Sequence, residues 1–293
     1  MKQNIPMTTP HTALITGASS GFGLLTTITL ARKGWHVIAT MRDLARRGHL
    51  DAAAQSAGVA DRIEVLQLDV TNNAQIAALA ALIEQRPTPL NALVNNAGFA
   101  MAGFAADVSD QELRRQLDTN FFAAAAVTRA LLPLFERQRF GHIVMVSSIS
   151  GRVATPGISS YNASKFALEG WSEALRHELR PSGIKVVLIE PGAFETDIWT
   201  RNAVISEATQ AIAAAADSPR KSLLTRWRDR VQSRTKRADP QLVADLIAVI
   251  LRNPNPKLRY AIGTDAWGAL FAKKILPAGI FENMVYKNSG IAN

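Results

Sequence analysis

The sequence of 293 residues contains no cysteine. The chain can therefore form no disulfide, no thiolate nucleophile and no thiolate metal site. Its five histidines, at positions 11, 36, 49, 142 and 177, are scattered and show no metal-ligand spacing. No apolar run approaches the length of a membrane span, and the first ten residues lack the apolar stretch of a signal peptide. We expect no metal site, no membrane span and a cytoplasmic location.

Acidic residues are in the minority. The chain has 33 Lys and Arg against 24 Asp and Glu, a net charge of +9. Much of this excess lies between Arg220 and Arg237, where eight basic residues accompany one acid, Asp229. The stretch is compatible with an anionic thioester or carrier, with anionic lipid, with nucleic acid, or with a solvated basic helix whose Trp227 turns inward. The basic charge is the one feature that suggests nucleic acid, so we expect no nucleic-acid partner.

Apolar residues make up 47% of the chain and charged residues 19%, which is typical of a folded globular protein. Short apolar runs predict strands at 12–16, 36–40, 63–68, 92–95, 142–147, 185–190 and 259–262. Longer amphipathic segments predict helices at 21–33, 43–57, 73–85, 110–137, 161–179 and 240–251. Buried strands that alternate with helices predict an α/β fold with a doubly wound parallel sheet, a Rossmann fold.

No linker divides the chain, so we expect a single domain over residues 1–293. The segment 196–237 differs from the rest, because it is first rich in alanine and then basic. We interpret it as a helical lid inserted after the sixth predicted strand. Residues 264–293 are apolar with Gly and Pro, and we treat them as a C-terminal extension whose fold the sequence does not define.

A glycine-rich turn follows the first predicted strand. Gly17, Gly21 and Gly23 permit a tight turn and close approach of a ligand, and the next helix offers free N–H groups to a pyrophosphate. Glycine also serves ordinary turns, but the strand-turn-helix context favours nucleotide binding.

Tyr161 and Lys165 are four residues apart and share one face of a predicted helix. An ammonium group beside a phenol favours the phenolate, so we expect a lowered Tyr161 pKa and proton transfer near neutral pH. Ser148 follows the fifth predicted strand, at the edge where open α/β sheets bind ligands, and its hydroxyl can polarise a carbonyl. The plainer alternatives are a surface tyrosine packed on lysine and a loop serine that bonds the backbone.

Several motifs occur in one order along the chain. They are Thr16-Gly-x-x-x-Gly-x-Gly23, Asp69-Val70, Asn95-Asn96-Ala97-Gly98, Asn120, Ser147-Ser148-x-x-Gly151, Tyr161-x-x-x-Lys165, and Pro191-Gly192 with Thr196. Together they resemble the short-chain dehydrogenase/reductase family over about two thirds of the chain. Segments 40–43 and 190–194 are similar to its steroid- and retinol-dehydrogenase-like branch.

The resemblance implies the site residues. The catalytic set comprises Ser148, Tyr161, Lys165 and Asn120. The cofactor-binding set comprises Gly17, Ser19, Ser20, Gly21, Phe22, Gly23, Arg42, Asp69, Val70, Asn96, Ala97, Gly98, Tyr161, Lys165, Pro191, Gly192 and Thr196. In the family the tyrosine transfers the proton, the serine orients the carbonyl, the lysine holds the nicotinamide ribose, and the asparagine binds a water that leads to solvent.

The end of the second predicted strand bears on the cofactor. Met41 stands where a carboxylate would bind the ribose of NAD, and Arg42 suits a 2′-phosphate. We therefore favour NADP(H) over NAD. Asp43 has three interpretations: it neutralises Arg42, binds ribose, or caps the next helix.

The implied activity is hydride transfer between a ketone or aldehyde and an alcohol. Apolar loop residues favour a hydrophobic substrate; they are Phe99, Met101, Phe104, Ile149, Val153, Ile158, Phe194 and Trp199. A 3-ketoacyl-thioester reductase and a non-catalytic NADP(H)-binding sensor are the alternatives. The resemblance also implies a homodimer or homotetramer, paired through the predicted helices 110–137 and 161–179.

Overall fold

The computed structural model describes residues 11–199, 203–215, 221–232 and 237–291. Its strands are β1 Thr12–Thr16, β2 His36–Met41, β3 Ile63–Gln67, β4 Leu90–Asn95, β5 Met101–Ala102, β6 His142–Val146, β7 Lys185–Pro191, β8 Val204–Ile205 and β9 Arg259–Ile262. Its α-helices are α1 Gly21–Arg32, α2 Gly48–Ser56, α3 Asn73–Glu84, α4 Asp110–Leu117, α5 Ala123–Gln138, α6 Ser159–Glu178, α7 Glu207–Ala214, α8 Lys221–Gln232, α9 Gln241–Ile250, α10 Thr264–Ile275 and α11 Ala278–Asn288.

Seven strands form one parallel sheet in the order β3-β2-β1-β4-β6-β7-β9. The predicted doubly wound parallel sheet is thereby confirmed. Strand order reverses between β1 and β4, since the chain moves outward in one direction through β2 and β3 and in the other from β4 onward. The carboxyl ends of the strands beside such a reversal flank the crevice in which open α/β sheets bind ligands.

The core lies on both faces of the sheet, which explains why its inner strands are largely apolar. In β1, Ala13 and Ile15 belong to one cluster, and Leu14 belongs to the other. The first cluster includes Leu30 of α1 and Ile247 of α9; the second takes in apolar residues of α3, α5 and α6. Side chains of successive strand residues point to opposite faces, so both helical layers pack on the same strands.

The structure departs from two predicted helices. The segment 43–57 begins with a 3₁₀ turn, Leu44–Arg47, before α2. The segment 110–137 is divided into α4 and α5 by a π-helical turn, Asp118–Phe122. Two short strands, β5 and β8, were not predicted, and they pair in parallel as a separate sheet.

The predicted lid at 196–237 contains α7 and α8, and its residues 200–202, 216–220 and 233–236 lie outside the described residues. Trp227 of α8 turns inward and donates from Nε1 to the Pro156 carbonyl oxygen at 3.1 Å. It covers Gly157, where an added Cβ would lie 2.4 Å from the indole. The predicted C-terminal extension contains α10 and α11. Within the described ranges, the helices lack the combination of length and apolar character that crossing a membrane requires.

Candidate active site

The turn between β1 and α1 requires glycine at two positions. Gly17 has φ +71°, and a Cβ there would lie 2.8 Å from Ala97 Cα. A Cβ on Gly23 would lie 2.2 Å from the Gly17 carbonyl oxygen. Both distances are below any real carbon contact, so the backbone of the turn can pack against the end of β4 only without side chains at these positions. The N-terminus of α1 consequently begins close to the crevice.

Asn96 holds the ends of β1 and β4 together. Its Nδ2 donates to the carbonyl oxygens of Thr16, at 2.9 Å, and Gly17, at 3.0 Å. In return, Thr16 Oγ1 accepts bonds from the N–H groups of Asn96 and Ala97, both at 3.0 Å. The side chain of Asn96 therefore shapes the turn, while its position also borders the crevice.

A cleft of about 1210 Å³ lies along the carboxyl ends of the central strands. Seventeen sequence-predicted site residues line it: Gly17, Ser19, Ser20, Gly21, Phe22, Arg42, Asp69, Val70, Asn96, Ala97, Gly98, Ser148, Tyr161, Lys165, Pro191, Gly192 and Thr196. The other two, Gly23 and Asn120, are absent from its wall and act on residues that form it. The structure thus gathers the motifs of the glycine-rich turn, four strand ends and α6 around one space.

Ser148, Tyr161 and Lys165 lie together on one wall of the cleft. Tyr161 and Lys165 occupy successive turns of α6, and the Lys165 ammonium nitrogen is 5.7 Å from the Tyr161 ring centroid. The hydroxyls of Ser148 and Tyr161 are hydrogen-bonded to each other. Ser148 Oγ also accepts a bond from Ser150 N–H at 3.1 Å, and Lys165 Nζ donates to the Val146 carbonyl oxygen at 2.9 Å. These bonds orient all three side chains at the end of β6.

Burial governs the electrostatics of this wall. It raises the pKa of Tyr161 to about 12, against the opposing effect of the Ser148 hydrogen bond. It also lowers the pKa of Lys165 to about 8, against the opposing charge of Glu169. The expected lowering of the Tyr161 pKa is therefore not found in the free protein, because the loss of hydration outweighs the Ser148 hydrogen bond, which is the effect that lowers this pKa.

Asn120 lies at the centre of the π-helical turn and is buried. Its Oδ1 accepts from Phe99 N–H at 3.0 Å, and its Nδ2 donates to the Phe99 carbonyl oxygen and to Ser164 Oγ, at 3.0 and 3.1 Å. Gln116, one turn earlier, donates to the same Phe99 oxygen at 2.9 Å and accepts from Met101 N–H at 2.9 Å. The two amides fasten the segment after β4 beside the cleft; the water route expected for Asn120 stays a prediction.

Arg42 and Asp69 occupy the end of the cleft beside β2 and β3. Burial raises the pKa of Asp69, but hydrogen bonds from Thr71 and the charge of Arg42 bring it below its usual value. Asp43 Oδ1 accepts from Ala45 N–H at 2.9 Å and so caps the 3₁₀ turn. This contact supports the capping interpretation of Asp43, and Arg42 and Arg46 are basic side chains at this end of the cleft.

The C-terminal extension supports the opposite wall. Asp265, in the first turn of α10, accepts from Ala193 N–H at 2.7 Å. A Cβ on Gly192 would lie 2.1 Å from Asp265 Oδ1, so glycine is required where the loop after β7 meets α10. Phe194 follows in this loop, and its ring meets that of Phe22 edge to face at 5.6 Å. The α10 N-terminus thereby sets the course of the Pro191–Gly192 segment along the cleft.

A short chain dehydrogenase family model matches residues 11–204. This chain belongs to the short-chain dehydrogenase family. The matched range contains every predicted site residue, and a dehydrogenase of this family is an oxidoreductase acting on CH–OH or carbonyl groups. The resemblance inferred from the motifs is confirmed.

Curated relatives agree with this assignment. The chain is 38% identical over 276 residues to the uncharacterized oxidoreductase YusZ of Bacillus subtilis strain 168, covering 94% of this chain and 97% of the relative. It is 35% identical to the 3-ketodihydrosphingosine reductase of Bacteroides thetaiotaomicron, covering 90% and 91%. It is 33% identical to retinol dehydrogenase 8 of Bos taurus, covering 92% and 87%.

Solved structures share the fold. A short-chain dehydrogenase from Streptomyces avermitilis superposes with a TM-score of 0.78 at 35% identity, covering 95% of this chain and 97% of that one. A short-chain dehydrogenase from Sphingobium yanoikuyae, in complex with NADPH, superposes with a TM-score of 0.69 at 27% identity, covering 93% and 96%.

Some residues that line the cleft of this short-chain dehydrogenase are not indicated by any sequence motif. They are the basic Arg46, Arg114 and Arg115 and the apolar Ile198, Ala203 and Val204. Of the apolar loop residues that were predicted, Phe99 and Phe194 line the cleft, and the side chain of Trp199 lies outside the described part. The other five do not line it: Met101, Phe104, Ile149, Val153 and Ile158. Ala203 and Val204 come from the segment that β8 attaches to β5, a pairing with no local sequence signal.

Proposed function

We propose that this short-chain dehydrogenase interconverts a ketone or aldehyde and the corresponding alcohol with NADP(H), with Tyr161 as the group that gives and takes the proton. The observation that carries the proposal is the meeting of Ser148, Tyr161 and Lys165 on one wall of the cleft bordered by the glycine-rich turn. A protein that only bound a dinucleotide would not need a hydrogen-bonded Ser148–Tyr161 pair beside a buried ammonium.

When NADPH is bound along the glycine-rich turn, it would supply a hydride for the carbonyl carbon. The Tyr161 hydroxyl donates its proton to the carbonyl oxygen, and the Ser148 hydroxyl donates a second hydrogen bond that orients that oxygen. Lys165, one helical turn beyond Tyr161, offsets the charge left on the phenolate. Because Tyr161 is 4% exposed, the charge left on its oxygen is little screened by water.

The residues present fit a dinucleotide. Added Cβ atoms at Gly17 and Gly23 would collide with backbone, so these glycines let the turn and the α1 N-terminus approach a pyrophosphate. At the β2 end, Arg42 and Arg46 supply positive charge, and Met41 stands where a ribose-binding carboxylate would be expected. This arrangement favours the 2′-phosphate of NADP(H), and the NADPH complex of the Sphingobium yanoikuyae enzyme supports it.

The substrate side of the cleft favours an apolar molecule. Phe99, Phe194, Ile198 and Val204 line it. The relatives named for 3-ketodihydrosphingosine and retinol are named for largely apolar substrates, which supports the same class here. The described residues of the segment 196–237 act as a lid over this region and are attached through Trp227, because Trp227 and Ile198 pack against the small cluster of Ala100, Ile158 and Tyr161.

Pairing of two copies through α5 and α6 is part of the same proposal. Phe122, at the end of the π-helical turn that leads into α5, and Phe166 of α6 are exposed apolar side chains in the segments through which the family resemblance predicts pairing. Light scattering on the purified protein tests this, and a monomer at micromolar concentration would contradict it.

The function is tested by following nicotinamide absorbance with a panel of apolar ketones and aldehydes, carrier-bound 3-ketoacyl thioesters, and both NADPH and NADH. We expect the wild type to oxidise NADPH with an apolar ketone or aldehyde and the Ser148→Ala variant to be slowed by roughly 10²-fold, the loss typical of one oxyanion-stabilising donor. Turnover confined to carrier-bound thioesters would replace the proposed substrate class. NADPH binding without turnover across the panel would favour a sensor.

A further inference from the structure

A largely buried ionic cluster begins one helical turn after Lys165. Glu169 is one helical turn after Lys165 on α6 and is 4% exposed, and Glu190, near the end of β7, is 1% exposed. Glu190 directly precedes the Pro191–Gly192 segment that lines the cleft. The proposed reaction assigns no task to either carboxylate.

Two arginines hold these carboxylates in place. Arg259 of β9 contacts Glu169 Oε2 from Nε at 2.9 Å, Glu190 Oε1 from Nε at 3.3 Å, and Glu173 Oε2 from Nη2 at 2.9 Å. Arg152, in the turn after Ser148, contacts Glu190 Oε1 from Nη1 at 2.9 Å. Strands β7 and β9, helix α6 and the turn after Ser148 therefore each contribute at least one side chain to the same cluster.

The charges of the cluster balance only when Lys165 is included. Three glutamates face two arginines, which leaves one negative charge, since 3 − 2 = 1. Lys165, one helical turn before Glu169 on α6, carries the remaining positive charge, and the charge of Glu169 acts to raise the Lys165 pKa. Of the further ionisable groups nearby, His177 acts on Glu173, at the exposed end of the cluster.

The surroundings of Glu169 determine whether its carboxyl group is charged or protonated. The Ser147 hydroxyl faces the Glu169 carboxyl, and Gly151 packs on both, because an added Cβ there would lie 2.9 Å from Glu169 Cγ and 3.0 Å from Ser147 Oγ. Burial, followed by the charge of Glu190, raises the pKa of Glu169 above its usual range, while Ser147 and Arg259 oppose the rise. Glu169 Oε1 is buried and has no hydrogen-bond partner of normal geometry. This is the oxygen at which a proton would bind.

We propose that Glu169 is a positioning residue that keeps Lys165 charged beside Tyr161, with Arg259 holding the carboxylate in place. The inference rests on the proposed function, because Lys165 matters to turnover only if Tyr161 transfers the proton. When Glu169 carries its charge, the ammonium of Lys165 is favoured; when Glu169 is protonated or replaced by an amide, Lys165 more readily becomes neutral. The pKa of Lys165, already lowered to about 8, brings this change into the range near neutral pH.

The first experiment compares the pH profiles of the wild type, Glu169→Gln and the matched control Glu173→Gln. Both variants remove one carboxylate bonded to Arg259, but Glu173 is half-exposed and lies a turn further from Lys165. For Glu169→Gln we expect the alkaline limb of turnover to move down by about one pH unit, which is roughly tenfold in the ratio of charged to neutral Lys165. For Glu173→Gln we expect the wild-type profile. A Glu169→Gln limb at the wild-type pH overturns the proposal.

The second experiment needs neither cofactor nor activity. Infrared difference spectra of the free protein, recorded across pH, report the carbonyl band of a protonated buried carboxyl. We expect a band that is lost in Glu169→Gln, retained in Glu173→Gln, and titrates about one pH unit higher in Lys165→Met, because coupling between two sites is reciprocal. An unchanged midpoint in Lys165→Met overturns the proposal even if Glu169→Gln fails to fold. If the infrared coupling is found but the wild type shows no Tyr161-dependent turnover, the proposed function has failed and the coupling has not.

Discussion

Replacing Asn120 and Gln116 with alanine, singly and together, tests whether these buried amides hold the segment after β4 beside the cleft. Each accepts a bond from one backbone N–H, that of Phe99 for Asn120 and that of Met101 for Gln116. Both donate to the same Phe99 carbonyl oxygen, at 3.0 and 2.9 Å. Either single variant therefore orphans one N–H group, whereas the double variant also orphans the carbonyl.

The expected destabilisation follows from this count. Orphaning a buried donor costs about 1–3 kcal/mol, so each single variant should lower the free energy of unfolding by about 2 kcal/mol. The double variant should lose about 1 kcal/mol or more of unfolding free energy beyond the sum of the two single losses. In each single variant the Phe99 carbonyl oxygen keeps one side-chain donor, and only the double variant removes both. For a chain of this length, a 2 kcal/mol loss lowers Tm by about 3 °C.

Urea unfolding followed by circular dichroism measures these values, and fluorescence titration measures NADPH affinity. Gln138→Ala is the matched control, since Gln138 makes the same pair of bonds to Leu90 at the other end of β4, at 3.0 and 2.9 Å. It should cost similar stability, leave NADPH affinity unchanged, and be additive with Asn120→Ala. Additive losses for Asn120 and Gln116 would refute the argument from the shared carbonyl oxygen.

Three further variants test other parts of the site. Gly23→Ala should destabilise the protein by about 1–3 kcal/mol in urea unfolding and weaken NADPH binding. Gly170→Ala, on α6 with open space around it, is the control and should be neutral or stabilising. Equal effects of the two variants would contradict the close packing of the turn. Arg42→Ala should weaken NADPH binding by roughly 10- to 100-fold and NADH binding by much less, and an equal loss for both would exclude a 2′-phosphate contact. Trp227→Ala should raise the substrate KM and speed tryptic cleavage within α8 while NADPH affinity holds; unchanged KM and cleavage would contradict the lid.

The sheet was predictable because its inner strands β1, β2, β4, β6 and β7 are buried on both faces. A run such as 142–147 or 185–190 has no polar alternation, and helices of ordinary length separate the runs, so the parallel order follows. The motif positions at strand ends then bring the predicted residues into one cleft without further information. Local pattern and topology therefore account for most of the site.

What escaped prediction depends on contacts between distant segments. The π-helical turn at Asn120 interrupts an unbroken helical pattern, and its cause is the bonding of Asn120 to Phe99 and Ser164. The β5–β8 pairing joins residues about a hundred positions apart through two residues each. The Tyr161 pKa was predicted with the wrong sign, because the lysine four residues away was visible in the sequence and the extent of burial was not.

The measurement that tests the central claim most directly compares Tyr161→Phe with Tyr286→Phe, which removes an exposed hydroxyl on α11. Both variants are titrated with NADPH and then assayed with the best carbonyl substrate of the panel. If Tyr161 transfers the proton, Tyr161→Phe binds NADPH within a few-fold of the wild type and loses about 10²–10⁴-fold in turnover, while Tyr286→Phe keeps both. A Tyr161→Phe variant that retains most of its turnover would contradict the account.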